Sequence, residues 1–207
     1  ARLLPVLKAA VAWQVPISVD TYKPGVMRAA LDAGADIIND VWALRWRDPS
    51  GLSGETIVSG HPNCGVCLMH MHGEPLTMQV NPMSEPPSAM PAAVASFLMA
   101  RTEALLVRGV AGERIVVDPG IGFGKTVAQN YALLPGQQAL SALGFPVLAG
   151  WSRKSALGAV TGRAVDERLS ASVAASTIAL THGASVLRVH DVAATRDAVR
   201  VWLASQR

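Results

Sequence analysis

Short apolar runs alternate with longer stretches of helical periodicity along the whole chain. Leu3, Leu4, Leu7 and Val11 recur at helical spacing, so residues 2–12 are expected to open the chain as a helix. Pro16–Asp20 reads as a short strand. Pro24 suits the first turn of the next helix, Val26, Ala29, Ala30 and Ala33 make its apolar face, and Gly34 suits its end. Asp36–Val41 and Gly65–Met71 read as further strands, with an unassigned stretch at 43–63 that is rich in Gly, Pro, Ser and Asp. A Pro- and Met-rich loop, 73–91, precedes a helix over about 92–108 that Gly109 closes. Ile115–Val117 is a β-branched strand core, and a helix is expected over 129–142. Pro146–Gly150 is the fifth strand, 166–182 a long helix, 185–192 the sixth strand, and 195–204 the last helix.

Strand, helix, glycine, strand: the alternation implies a parallel sheet wrapped by helices. Each strand finishes on polar residues: Asp20, Asn39, His70, Asp118, the Ser152–Lys154 cluster, then Arg188 and His190. An open sheet gathers chemistry at one switch point, whereas a closed barrel gathers it at the ends of every strand. The expected fold class is therefore α/β, a TIM (β/α)8 barrel with about six of its eight units in this chain. Residues 1–207 are expected to form a single domain lacking an N-terminal β-α-β portion, with exposed sheet edges and weak stability on its own.

Asp118 is the first candidate for chemistry. It stands where a buried strand stops, Pro119 forbids further pairing, and Gly120, Gly122 and Gly124 let the backbone approach a ligand. A carboxylate there is costly unless something pairs with it. Gly124-Lys125-Thr126 resembles the end of a phosphate loop, but the first glycine of that motif should fall at 119, which is Pro119. Cys64 and Cys67, with His61, His70 and His72 nearby, carry zinc-type ligands. Alternation would put the two cysteines on different faces of a strand, so they are expected to be small buried hydrophobes, without zinc. Trp42, Trp46, Trp151 and Trp202 read as packing residues.

Composition narrows the class. Hydrophobic residues make up 50% of the 207 and charged residues only 16%, so a large core must be buried. The net charge of +3 is scattered, with no basic arm or patch for nucleic acid. The longest apolar runs fall short of a membrane span and no secretory signal opens the chain, which favours a soluble, cytoplasmic protein.

At these strand ends the sequence resembles dihydropteroate synthase, the pterin-binding barrel enzyme of folate biosynthesis. The matching stretches are Ile17–Pro24, Ile37–Val41, Leu68–Met71 with Thr77–Gln79, Asp118–Lys125, Ser152–Ser155 and Arg188–Val192, in family order along the whole chain. The resemblance implies a transferase that condenses 4-aminobenzoate with (7,8-dihydropterin-6-yl)methyl diphosphate, releases diphosphate and forms 7,8-dihydropteroate. It also implies the target class of sulfonamides and a homodimer. Two parallel donors on a pterin ring edge suit a carboxylate. That role falls by resemblance to Asp118, with Asn39 completing the edge. Asp20 is expected to stabilise positive charge near the ring, and Lys154 to reach the pterin carbonyl. Arg188 and His190, flanking Val189, are expected to hold the diphosphate, Ser152 and Phe123 to adjoin the aminobenzoate, and Met71 to pack on the ring. Asp20, Lys154, Arg188 and His190 are the expected catalytic residues. Mg2+ is the implied cofactor, but the family's metal-binding Asn belongs to the N-terminal signatures absent here, so no metal ligand is expected in this chain.

Plainer roles compete. Asp20 and Asp118 could cap the helices that follow, His190 could be a satisfied core histidine, Met71 could be core filler, and Arg153 reads as a solvated surface charge. A pterin-binding domain of a corrinoid-dependent methyltransferase would share Asp20, Asn39 and Asp118. It has no need of Ser152–Lys154 with Arg188 and His190. A catalytically incomplete pterin-binding fragment is the third reading.

Overall fold

A computed structural model describes residues 2–206. Its elements run α1 (Leu3–Val11), β1 (Ser18–Asp20), α2 (Pro24–Asp32), β2 (Ile37–Asp40), α3 (Gly54–Gly60), β3 (Gly65–Met69) and α4 (Met90–Leu106). They continue as β4 (Ile115–Asp118), α5 (Val127–Leu133), α6 (Gln137–Ser141), β5 (Leu148–Ala149), α7 (Ser155–Thr161), α8 (Leu169–Thr181), β6 (Val186–Leu187) and α9 (Val192–Ser205). One sheet has the order β1-β2-β3-β4 and a second pairs β5 with β6. β1 with β2, β2 with β3, and β5 with β6 are parallel.

The chain falls into two compact units. The first comprises the residues up to His70 together with Phe97–Val117. Its register sets Asp20 beside Asn39 and Asp40 beside Leu68. Val19, Ile38, Val66, Leu68 and Ile115 form the strand side of its core, and Met27, Ala30, Val58, Leu98 and Leu105 the helix side, all buried. The second unit comprises Met71–Ser96 and the chain from Asp118 onward. Met90, Val94, Leu133, Leu140, Val147 and Trp151 are buried there.

Local chemistry explains the elements. Pro24 starts α2, and Gly34, at φ +98°, takes the left-handed conformation that ends it. Inside 43–63, which the sequence pattern leaves unassigned, α3 starts where Ser53 Oγ accepts the Thr56 amide. Glu55 in that helix is buried against the guanidinium groups of Arg47, Arg101 and Arg108. Thr126 and Gln129 form a reciprocal capping box on α5.

Several elements differ from expectation. The helix expected over 129–142 is broken into α5 and α6. Pro135 lacks the N–H that a continuing helix needs, and at Gly136 a Cβ would collide with Pro91 and with the Ala132 carbonyl. The sixth strand shrinks from 185–192 to two residues because β5, with which it pairs, is equally short. Arg188, Val189 and His190 are thereby set in a loop, and α7, which the pattern does not reveal, follows Lys154. Pro87–Leu106 is 20 residues long and apolar enough, by length and composition alone, to cross a membrane, longer than the apolar runs suggest. Met90, Val94, Leu98 and Leu105 along it are fully buried at helical spacing, so one face of the helix packs inside the protein.

Candidate functional site

In the first unit the parallel register brings Asp20 and Asn39 side by side, and Asn39 Nδ2 donates to Asp20 Oδ2 at 3.1 Å. Asp20 is exposed, and neither it nor any other side chain caps α2. Asn39 is buried, and its Oδ1 has no hydrogen-bond partner among the described residues. An orphaned buried acceptor is ready to receive a donor from a ligand. The neighbouring Asp40, which the sequence reading passes over, is fully buried. Burial pushes its carboxyl up to about 6, against the lowering effect of amide donation from Trp42 and Leu44, with the Asp20 charge adding to the rise. His70 is buried with its ring edge-on to Phe97 at 4.9 Å. Trp42 and Trp46 pack on Tyr22, the three rings lying 5.2–6.4 Å apart. Cys64 and Cys67 are both buried and are not joined in a disulfide, as small hydrophobes are expected to be.

The second unit holds most of the other candidates. Asp118 is fully buried; its Oδ1 accepts the Gly120 amide at 2.7 Å and its Oδ2 accepts Arg188 Nη2 at 3.2 Å. It does not cap α5, a role taken by Thr126. The pairing that a strand-end carboxylate demands is thus supplied by Arg188, whose own side chain remains 42% exposed. Gly150 makes room for that guanidinium, since a Cβ there would stand 2.8 Å from Arg188 Nη2. Ser152 Oγ lies 2.9 Å from His190 Nδ1 and accepts the His190 amide at 3.1 Å. His190 is exposed as well as paired with Ser152, so it is not a satisfied core histidine. Lys154 Nζ sits 4.4 Å above the Phe123 ring. Gly150, Ser152, Arg153, Lys154, Arg188, Val189 and His190 line a cavity of about 470 Å³.

Arg153 is more than a solvated charge. It makes two hydrogen bonds to the Asp191 carboxylate, at 2.7 and 3.1 Å, and its backbone adopts φ +58° with the amide donated to Ser172 Oγ. The pair raises the Arg153 guanidinium and lowers the Asp191 carboxyl from their ordinary values. Met71 is buried. Lys125, which the pattern treats only as a lead into the next helix, is buried beside Asp118. No sequence signal distinguishes it from an exposed lysine at a helix start.

The pterin binding enzyme family matches residues 1–190. The dihydropteroate synthase of Haemophilus influenzae is 45% identical over 205 residues, covering 99% of this chain and 71% of that protein. The chain belongs to the dihydropteroate synthase family. The family member from Escherichia coli is 41% identical over 97% of this chain and 68% of its own length. The crystal structure of dihydropteroate synthase from Stenotrophomonas maltophilia, with imidazole in its active site, superposes with a TM-score of 0.91 at 45% identity, covering 99% of this chain and 75% of that one. The Burkholderia cenocepacia dihydropteroate synthase complexed with 7,8-dihydropteroate gives a TM-score of 0.87 at 48% identity, covering 99% and 73%. The α/β fold class expected from the alternation of strands and helices, that of the (β/α)8 barrel, is the one this transferase family carries.

Proposed function

We propose that the chain condenses 4-aminobenzoate with (7,8-dihydropterin-6-yl)methyl diphosphate to give 7,8-dihydropteroate and diphosphate, with residues 1–207 acting as one pterin-binding domain. The observation that carries this reading is the fully buried Asp118 carboxylate paired with Arg188, whose guanidinium also lines the cavity shared with Ser152, Lys154 and His190. Asp118 accepts the two donors of the pterin edge. Asn39, whose Oδ1 has no hydrogen-bond partner among the described residues, is a further pterin-binding residue. Met71 packs on the ring. Arg188 and His190, with Val189 between them, hold the diphosphate, Arg188 by its planar fork. Lys154 reaches the pterin carbonyl. Ser152 and Phe123 adjoin the aminobenzoate.

In the reaction the amine nitrogen forms a bond to the methylene carbon while the carbon–oxygen bond to diphosphate breaks. The electron pair leaves with the diphosphate and the surplus amine proton is lost. Asp20 stabilises the positive charge that develops near the ring, a preorganised electrostatic effect typically worth about 3–4 kcal/mol for a single group. Because Arg188 already holds Asp118 Oδ2, the pterin edge must share or take over that oxygen as the guanidinium turns toward the diphosphate. Among the described residues no group of three or more His, Cys, Asp and Glu is placed to hold a metal. We propose Mg2+ only as a companion of the diphosphate oxygens.

We also propose a cytoplasmic homodimer, checked by sedimentation. The catalytic reading is tested by steady-state assay of condensation, with binding of the pterin diphosphate compared with that of the pterin alcohol. His190→Ala is expected to weaken the diphosphate ligand roughly tenfold or more while leaving the alcohol nearly unchanged. Equal losses for the two ligands would remove His190 from the diphosphate clamp.

A further inference from the structure

Lys125 is only 3% exposed, and the chemistry above does not use it. Its Nζ donates to the Gly120 carbonyl at 2.9 Å and to the Phe123 carbonyl at 3.1 Å. Both oxygens belong to the glycine loop that leaves Asp118. Gly120 in turn gives its amide to Asp118 Oδ1, and Phe123 carries the ring under Lys154. One ammonium thus joins the two ends of the loop that bears a pterin ligand and an aminobenzoate neighbour. Gly120, Gly122 and Gly124 all have positive φ, so the loop has the conformational freedom that such a clamp restricts. Among the charged groups bearing on Lys125 are Asp118, which attracts it, and Lys154, which repels it. Arg188 is bound to the same Asp118 carboxylate, and at Gly124 the loop meets the backbone of His72.

We propose that Lys125 is a positioning residue for pterin recognition: its ammonium fixes the 118–124 loop and complements the Asp118 carboxylate, so that the ring edge is bound well only while Lys125 is protonated. The inference rests on the reading of Asp118 as the pterin acceptor. Burial brings the Lys125 ammonium down from 10.5 to about 7; the Asp118 charge opposes the fall and Lys154 adds to it. The charge is therefore lost as pH rises through neutrality, well below the range where an ordinary lysine titrates.

The experiment is calorimetric binding of 6-hydroxymethyl-7,8-dihydropterin from pH 6 to 9, for the parent chain, Lys125→Met and Lys125→Arg. This ligand lacks the diphosphate, so diphosphate ionisation does not enter. The parent's affinity is expected to fall about tenfold or more across that range. Lys125→Met should bind roughly tenfold or more weakly at pH 6, with a flat profile, and Lys125→Arg should hold its affinity to high pH. Parent-like affinity and pH dependence in Lys125→Met would overturn the role of Lys125 and leave the pterin site standing. Should Lys125→Met fail to fold, an unchanged fall in Lys125→Arg, or a flat parent profile, overturns it instead. A parent that binds no pterin at any pH would remove the pterin reading and this inference together.

Discussion

The loops after β2 and β4 start alike and end differently. Each begins with a fully buried aspartate at the close of a strand, Asp40 in one and Asp118 in the other. Asp40 gives one oxygen to the Trp42 amide and the other to the Leu44 amide, both at 2.8 Å. Those bonds hold Ala43 and Leu44 at φ +52° and +61°, a left-handed pair costing roughly 1–2 kcal/mol per residue. Asp118 gives one oxygen to its own loop, at Gly120, and the other to the side chain of Arg188. An acceptor committed to its own backbone cannot be handed to a ligand without unfolding the turn. An acceptor committed to a partly exposed side chain can, because a rotamer change releases it. Burial and strand-end position are shared, so the nature of the partner is what distinguishes the two carboxylates.

Asp118→Asn should have the largest effect. It removes the charge that pairs with Arg188 and that would receive the pterin edge, so pterin affinity is expected to fall by about 2–4 kcal/mol by calorimetry. Unchanged affinity would erase the contrast between the two loops. Asp40→Ala should act on folding and not on ligand. Two buried amides lose their acceptor, at a cost of about 2–3 kcal/mol in denaturant-measured stability. The pH dependence gives a sharper signature. The folded carboxyl titrates near 6, above its ordinary 3.8, so its favourable contribution is complete below about 3.8 and is lost as pH rises through about 6. The loss in Asp40→Ala is therefore expected to be greater at pH 5 than at pH 8, and a loss that grows with pH would contradict the assignment. Gly150→Ala should have the smallest effect. A Cβ there displaces the tip of Arg188, which can move, so the fold should survive. Binding of the pterin diphosphate is expected to weaken by about 1 kcal/mol, with thermal stability nearly unchanged. A gain in affinity for the pterin alcohol would show that Arg188 competes with the ring edge for Asp118.

Much of this was readable from the chain, because strand ends are marked by abrupt changes from β-branched to polar residues. Asp20, Asn39, Asp118 and the Ser152–Lys154 cluster all stand where the pattern puts them. The partners were not readable. The ion pair of Arg153 with Asp191 spans 38 positions, and that of Arg188 with Asp118 spans 70. Local periodicity carries no trace of either. The burial of Lys125 escaped for the same reason, since three glycines and a lysine look like an exposed turn until the loop folds around the ammonium. α3 was hidden by its brevity and by Glu55, a charge made tolerable inside by three arginines, two of which, Arg101 and Arg108, lie 46 and 53 positions away. The breaks at Pro135 and around β6 follow from missing N–H groups and short partners, which single-segment patterns weight too little.

The glycine loop also sets how far this site can drift in sequence. At Gly124 any side chain would run into the His72 carbonyl, and at Gly122 it would press on the Lys154 stem at a left-handed φ. Phe123 between them, only half-buried, has neither restriction. Side-chain replacement in this stretch therefore has one sterically open position, at 123, with closed ones on both sides.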